Sequence, residues 1–225
     1  WGFLIMMKGF LIIMDLLVGY LTYRFILYRT NDRSKAVIGF GLWFLFPVVA
    51  FMSGSQVQFD CISALFLLVT VVLLLEGREF LAGSMFSICC MFKLFPGFAI
   101  IVMIAYIFVK HRSDGTWKLR LVKAVAGTVI MLIVILLPQF LNGQLMDAMS
   151  FVTGRASSGL LIFRIATYCL TAIAVAGLLF FGWRMFKSSE EDADENLIRY
   201  TLFTVVLAAF MACGPQYIIV AVPLL

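Results

Sequence analysis

Charged side chains are scarce in this sequence. Asp, Glu, Lys and Arg make up 13% of its 225 residues, whereas 64% are hydrophobic and the mean hydropathy is +1.08. A typical globular domain is about one quarter charged and about half apolar, so a surface that faces water does not have this composition. The sequence therefore excludes a soluble domain and predicts a protein whose solvent is mostly lipid.

Residues for metal and nucleophile chemistry are also few. The single histidine, His111, lies between Lys110 and Arg112, which is typical of a solvated loop. The cysteines lie in or beside apolar runs without a CxxC spacing, which predicts neither a metal site nor a disulfide. They are Cys61, Cys89, Cys90, Cys169 and Cys213. There is no basic face with interleaved aromatic residues, so nucleic acid is not expected as a partner.

Long apolar runs fill most of the chain. Backbone polar groups in hydrocarbon must be satisfied within their own segment, and no alternating pattern suggests a barrel, so the runs are predicted to be helices. At roughly 20 residues per crossing, eight or nine spans fit. The runs cover 3–28, 36–53, 58–75, 79–92, 95–109, 121–141, 158–186, 197–213 and 216–225.

The predicted fold is therefore all-α, a polytopic transmembrane helical bundle that forms a single domain over residues 1–225. Because the sequence starts at Trp1 and stops at Leu225 inside an apolar run, we expect a fragment of a larger membrane domain, with parts missing at both ends.

The distribution of basic residues predicts the orientation, because Lys and Arg in short loops stay cytoplasmic. If the first helix runs from outside to inside, all Lys and Arg except four fall at inner ends. The four at the outer side are Lys8, Lys93, Arg155 and Arg164. The acidic run between 190 and 195 then belongs to a cytoplasmic loop over 187–196, where neighbouring like charges indicate a solvated linker.

Polar residues beside the spans are costly in lipid, so each is a candidate for function. Asp60 at the start of a helix is either a cap or part of a site. Lys93, just before Pro96, either snorkels to headgroups or binds a phosphate. Arg155 suits bidentate binding of a phosphate. The candidates predicted at the outer face are Lys8, Gln58, Asp60, Lys93, Arg155, Gln216 and Tyr217.

Lys8 and Asp15 are seven residues apart in the first run, which places them on one helix face about 10 Å apart along the axis. They cannot pair with each other directly. Each is therefore expected to have a partner on another helix or to face a polar cavity.

Four stretches resemble motifs of the GT-C superfamily of integral-membrane glycosyltransferases, in particular its polyprenol-phosphate-sugar-dependent, mannosyltransferase-like branch. KGFLIIMDLLVGY from Lys8 is similar to K-x-P-x-x-x-x-D-L-x-x-x-Y/L, and residues 58–60 are similar to G-Q-x-D, with Val57 in place of the usual glycine. Residues 93–96 resemble K-x-x-P. The segment 215–223 resembles P-Q-Y-x-x-x-x-x-P.

The resemblance implies transfer of a mannose-like sugar from a polyprenyl- or dolichyl-phosphate carrier to a glycan, lipid or protein acceptor. The site would lie at the extracytoplasmic face of a plasma membrane or ER-like membrane, in contact with membrane lipids. The family's catalytic base would lie upstream of Trp1, so Asp60 is an organising or acceptor-binding residue and only a fallback base.

Displacement of a phosphate leaving group requires a base for the acceptor proton and cations for the developing charge. Lys8, Lys93 and Arg155 are the expected phosphate ligands, and Gln58, Gln216 and Tyr217 are expected to complete the substrate site. No residues are assigned to a metal, and dependence on a divalent metal ion stays open. The alternatives are a solute or lipid transporter, disfavoured because no matching Gly/Pro-broken helices are present, and a structural membrane subunit.

Overall fold

The computed structural model of the chain describes residues 2–47, 49, 59–143, 161–211 and 215–224. Every regular element in these ranges is helical, which confirms the predicted all-α class. The α-helices are α1 (Gly2–Thr30), α2 (Arg33–Leu45), α3 (Asp60–Leu75), α4 (Glu79–Phe92), α5 (Ile100–Lys110), α6 (Trp117–Leu141), α7 (Leu161–Phe186) and α8 (Ala193–Met211). A 3-10 helix, Phe95–Ala99, precedes α5, and another, Pro215–Leu224, follows α8.

The helices follow the predicted apolar runs closely, and α4 has the predicted bounds. Two helices begin four residues before their predicted runs: α6 begins at Trp117 rather than at 121, and α8 begins at Ala193 rather than at 197. Asp194 and Glu195 belong to the first turn of α8, where carboxylates face the positive end of the helix dipole. The acidic loop predicted over 187–196 is therefore shorter, because part of the acidic run starts a helix.

Two helices in the described part of the chain are long and apolar enough to cross a membrane. They are α1 from Ile5 onward and the whole of α6. Shorter apolar helices cover Asp60–Leu75, Glu79–Phe92, Phe95–Lys110 and Val175–Phe186. A full crossing takes roughly 20 residues, so the count of eight or nine spans stays a prediction.

The first two helices form a hairpin. Asn31 turns the chain with a φ of 51°, and the carboxylate of Asp32 then caps α2 by accepting the N–H groups of Ser34 and Lys35 at 2.9 and 3.2 Å. On α1 one stripe faces inward at helical spacing. It consists of Leu11, Asp15, Val18 and Thr22.

Two hydrophobic clusters hold the helices together. The larger one joins α3, α4, α5, α7, α8 and both 3-10 helices, and its buried members include Leu67, Phe86, Val102, Met185, Val205 and Val220. The smaller one joins α1, α2, the first turns of α3 and the final 3-10 helix. Its members include Leu11, Trp43, Cys61 and Val222.

Helices α4 and α6 approach each other closely through glycine. A Cβ at Gly83 would collide with the Ala124 carbonyl, and a Cβ at Gly127 would collide with the Phe80 carbonyl. At the same contact the Ser87 hydroxyl donates to the Thr128 carbonyl at 3.0 Å. Small residues and interhelical hydrogen bonds of this kind are how helices associate in lipid.

We expect Gly83→Ala to reduce the free energy of unfolding by about 1–3 kcal/mol, because the added methyl group meets backbone that has nowhere to move. The measurement is thermal unfolding of the purified protein in detergent. Gly41→Ala is the matched control, since a Cβ on that helical glycine meets nothing within 4 Å. Equal stability of the two variants would contradict the close approach of α4 and α6.

Candidate functional site

Asp60 and Lys93 form an ion pair. The Nζ of Lys93 lies 2.9 Å from Oδ1 of Asp60. The Asp60 side chain is 1% exposed and that of Lys93 is 26% exposed. Two of the residues that the sequence places at the outer face are thus in direct contact.

A helical hairpin brings these two residues together. Helices α3 and α4 are joined by a tight turn at Gly77, which has a φ of 70°. Asp60 is the first residue of α3, and Lys93 directly follows α4. Because the helices are antiparallel, the start of one lies beside the end of the other.

Helix α4 ends where Lys93 becomes extended, with φ −147° and ψ 127°. Its backbone N–H still donates to the Cys89 carbonyl at 3.1 Å, which satisfies one of the last carbonyls of the helix. Pro96, predicted to break the apolar run, lies at the start of the next 3-10 helix. A proline is tolerated there because the first N–H groups of a helix have no acceptor within the helix, so the N–H that proline lacks is not missed.

Neither of the two simpler interpretations, a helix cap for Asp60 and snorkelling for Lys93, describes this contact. The N-cap of α3 is Phe59, and no side-chain hydrogen bond caps that helix. The carboxylate of Asp60 is engaged by an ammonium across the hairpin. The ammonium of Lys93 is in turn held against a buried carboxylate, which snorkelling to headgroups does not involve.

Lys8 is not brought to this pair in the described part of the chain. It is exposed on α1, one turn before the buried stripe. Asp15, in that stripe, is 9% exposed. The shared face predicted for the two residues is present, but only Asp15 is buried.

For the other predicted site residues, the structure describes no side chain. Gln58 and Arg155 lie outside the described residues. Gln216 and Tyr217 lie on the final 3-10 helix, and only their backbone is described. That helix packs against α3 and α8.

Three of the four segments that resemble motifs nevertheless share the smaller hydrophobic cluster. Leu11 follows Lys8 by one turn, Cys61 follows Asp60, and Val222 belongs to the segment that begins at Pro215. The smaller core therefore places these segments next to one another.

The pair has a definite chemical character. An ammonium carries three N–H donors, so it can bridge a carboxylate and a phosphate oxygen. The Lys93 side chain is 26% exposed, so part of it faces out of the packed interior. Asp60 is too enclosed for an acceptor hydroxyl to approach, so its geometry suits positioning Lys93 rather than removing a proton.

Metal ligands are not gathered anywhere in the described ranges. No group of three or more His, Cys, Asp or Glu side chains there is arranged to hold an ion.

A second polar cluster lies at the opposite end of α4, and the sequence did not single out its central residue. Glu79, 4% exposed, forms an ion pair with Arg120 and lies 3.7 Å from Nε2 of His111. Nδ1 of His111 lies 3.6 Å from Asp114. The loop that follows His111 is exposed over residues 112–115, as predicted, but the His111 side chain itself is only 14% exposed.

The acidic run also makes specific contacts. Asp194 lies 3.0 Å from the Lys110 ammonium and accepts a hydrogen bond from the Tyr106 hydroxyl at 3.0 Å. Glu190 accepts a hydrogen bond from Ser113 at 2.9 Å. The run therefore contacts α5 and the loop that follows it, and is more than a solvated linker.

Protonation in the second cluster follows from its surroundings. Burial, assisted by the Arg120 charge, lowers the pKa of His111 from its ordinary value, against the opposing effect of Asp114 and Glu79. Hydrogen bonds from the Thr116 N–H and hydroxyl lower the pKa of Asp114. The histidine is therefore neutral at pH 7 beside an ionised Asp114.

Comparison with known proteins yields no matching family model, no matching curated protein and no matching solved structure. The likeness to GT-C enzymes depends on the motif residues of this chain.

We expect Lys93→Met to reduce the free energy of unfolding by about 3–5 kcal/mol, because it leaves a buried carboxylate without its counter-charge. Asp60→Asn should have a smaller effect, since the partly exposed ammonium can turn to water. The double variant should recover most of the loss. Thermal and denaturant unfolding in detergent measure all three.

The matched control for this cycle is Arg199→Met, which breaks an exposed pair with Glu195 and should change stability by less than about 1 kcal/mol. If Lys93→Met is as stable as this control, the ion pair does not hold the hairpin.

We also expect stability to fall as pH drops below 6.5, the ordinary pKa of histidine. The folded protein binds the His111 proton less readily than the unfolded chain does, so acid favours unfolding. Melting temperatures from neutral pH to about pH 5 should decline less steeply in His111→Gln. Asp114 titrates below 3.8 and does not contribute in this window. Identical slopes for the two proteins would contradict the shift.

Proposed function

We propose that this protein is an integral-membrane glycosyltransferase of the GT-C type. It transfers a mannose-like sugar from a polyprenyl- or dolichyl-phosphate carrier to a glycan, lipid or protein acceptor at the extracytoplasmic face. The observation that carries the proposal is the Asp60–Lys93 ion pair, which connects two of the segments that resemble motifs of this family.

The energetics of the pair support a functional role. Taking two charges out of water is expensive, and a buried pair contributes little net stability compared with apolar side chains of the same size. Charged groups in apolar helix bundles usually mark functional sites. In this pair the Asp60 side chain is 1% exposed and the Lys93 side chain is 26% exposed, which is the arrangement expected if a ligand approaches from the lysine side.

The two ends of the α3–α4 hairpin support the proposed orientation. One end carries Asp60 and Lys93. The other lies beside the loop at 111–116, with Glu79 paired to Arg120. That second end is rich in the Lys and Arg residues predicted to be cytoplasmic, which supports the expectation that the Asp60–Lys93 end faces the other side of the membrane.

In this mechanism Lys93 binds the phosphate of the carrier and stabilises the charge that develops on it as the sugar leaves. Asp60 holds the ammonium in place through the 2.9 Å ion pair. A carboxylate other than Asp60 removes the proton from the hydroxyl of the acceptor, because Asp60 is enclosed. Lys8 and Arg155 add positive charge, and the segments with Gln58, Gln216 and Tyr217 complete the site.

The proposal is tested by a transfer assay in membranes that contain the full-length protein, with a radiolabelled polyprenyl-phosphate sugar. We expect Asp60→Ala and Lys93→Ala each to reduce transfer by about 100-fold or more, the usual effect of losing a group that stabilises transition-state charge. Glu195→Ala, which breaks an exposed ion pair on α8, is the matched control and should retain activity.

A charge swap separates folding from chemistry. Asp60→Lys combined with Lys93→Asp keeps opposite charges at the contact but moves the ammonium to the enclosed position. We expect a folded but inactive protein. Absence of transfer from mannosyl, glucosyl and arabinosyl carriers by the folded wild-type protein would overturn the proposal and favour the solute or lipid transporter, which uptake assays then test.

A further inference from the structure

Ser63 and Cys89 make a reciprocal contact beside the ion pair. The Ser63 hydroxyl donates to the Cys89 carbonyl at 3.3 Å, and the Cys89 thiol donates to the Ser63 carbonyl at 3.3 Å. Both residues are completely buried. The contact therefore joins the backbones of α3 and α4 on both sides.

The position of this contact along the hairpin links it to Lys93. Ser63 lies one turn after Asp60, and Cys89 lies about one turn before Lys93. The Cys89 carbonyl also accepts the backbone N–H of Lys93 at 3.1 Å. The Cys89 carbonyl oxygen thus accepts hydrogen bonds from the Ser63 hydroxyl on α3 and from the backbone N–H of Lys93, the residue at which α4 ends.

We propose that Ser63 and Cys89 are positioning residues for the ammonium of Lys93. They set the separation between the first turn of α3 and the last turn of α4, and with it the distance over which Lys93 reaches Asp60. Neither residue contacts substrate. As far as it concerns catalysis, this inference rests on the proposed transferase function.

Another buried serine offers a matched control. Ser87 is on α4, like Cys89, and is also buried. Its hydroxyl donates to the Gly83 and Thr128 carbonyls, at 3.1 and 3.0 Å, on the side of α4 that faces α6. Ser87→Ala removes an interhelical hydrogen bond of the same kind without affecting the α3–α4 contact. A general loss of stability is therefore expected in both Ser87→Ala and Ser63→Ala, whereas mispositioning of Lys93 is expected only in Ser63→Ala.

The first experiment measures the reactivity of the Lys93 amine in the folded full chain. An amine-acylating reagent is applied in detergent, and labelling of Lys93 is compared with that of exposed Lys118 by mass spectrometry. We expect Ser63→Ala and Cys89→Ala to raise the relative labelling of Lys93 about fivefold, the factor that corresponds to one typical hydrogen bond. Cys89→Ser, which keeps a donor, should stay near wild type, as should Ser87→Ala.

Unchanged labelling in both Ser63→Ala and Cys89→Ala, or an equal rise in Ser87→Ala, would overturn the inference. Because the two variants alter the contact from opposite helices, failure of one to fold leaves the other to decide.

The second experiment measures transfer kinetics. We expect Ser63→Ala to raise the KM for the polyprenyl-phosphate sugar several-fold with a smaller change in kcat, and Cys89→Ser to restore nearly normal values compared with Cys89→Ala. Unchanged kcat and KM in Ser63→Ala would contradict a positioning role. If the wild-type protein transfers no sugar, the proposed function fails, whereas amine labelling still decides whether Ser63 and Cys89 position Lys93.

Discussion

The cost of placing charge in an apolar interior determines where the ionised groups of this protein lie. The most enclosed carboxylates with described ion pairs are Asp60 and Glu79, and each meets a cation from another segment. Asp194, less enclosed, meets Lys110. Removing either partner leaves a charge without compensation, so the helices that carry these pairs must keep their relative positions. Hydrophobic packing holds the bundle together, and the pairs select one arrangement of it.

Helix α4 connects the two principal charged clusters. Glu79 is its first residue and Lys93 follows its last, so a helix of about 20 Å separates them. Between these ends α4 meets α6 closely at Gly83, contacts Ser63 on α3, and contributes Phe86 to the larger hydrophobic cluster. The same helix therefore anchors the loop network at one end and supports the candidate site at the other.

Much of this arrangement could be predicted from sequence, because apolar runs between charges determine helices almost directly. The run at 79–92 became α4 without change, and Asp60 and Lys93 were both singled out as costly charges. Their pairing could not be predicted, because it depends on how α3 packs against α4. Glu79 was missed for a similar reason: a carboxylate next to a turn gives no sign that Arg120, far along the chain, will enclose it. The start of α8 was misplaced because acidic residues, read as a loop, also favour the first turn of a helix.

The glycine contact between α4 and α6 has a mechanical consequence. With the backbones touching at Gly83 and Gly127, neither helix can roll about its own axis without driving a side chain into the other. The two helices are therefore expected to move together. Because Lys93 directly follows α4, a displacement of α4 relative to α3 would change the distance between Lys93 and Asp60 and would carry α6 with it.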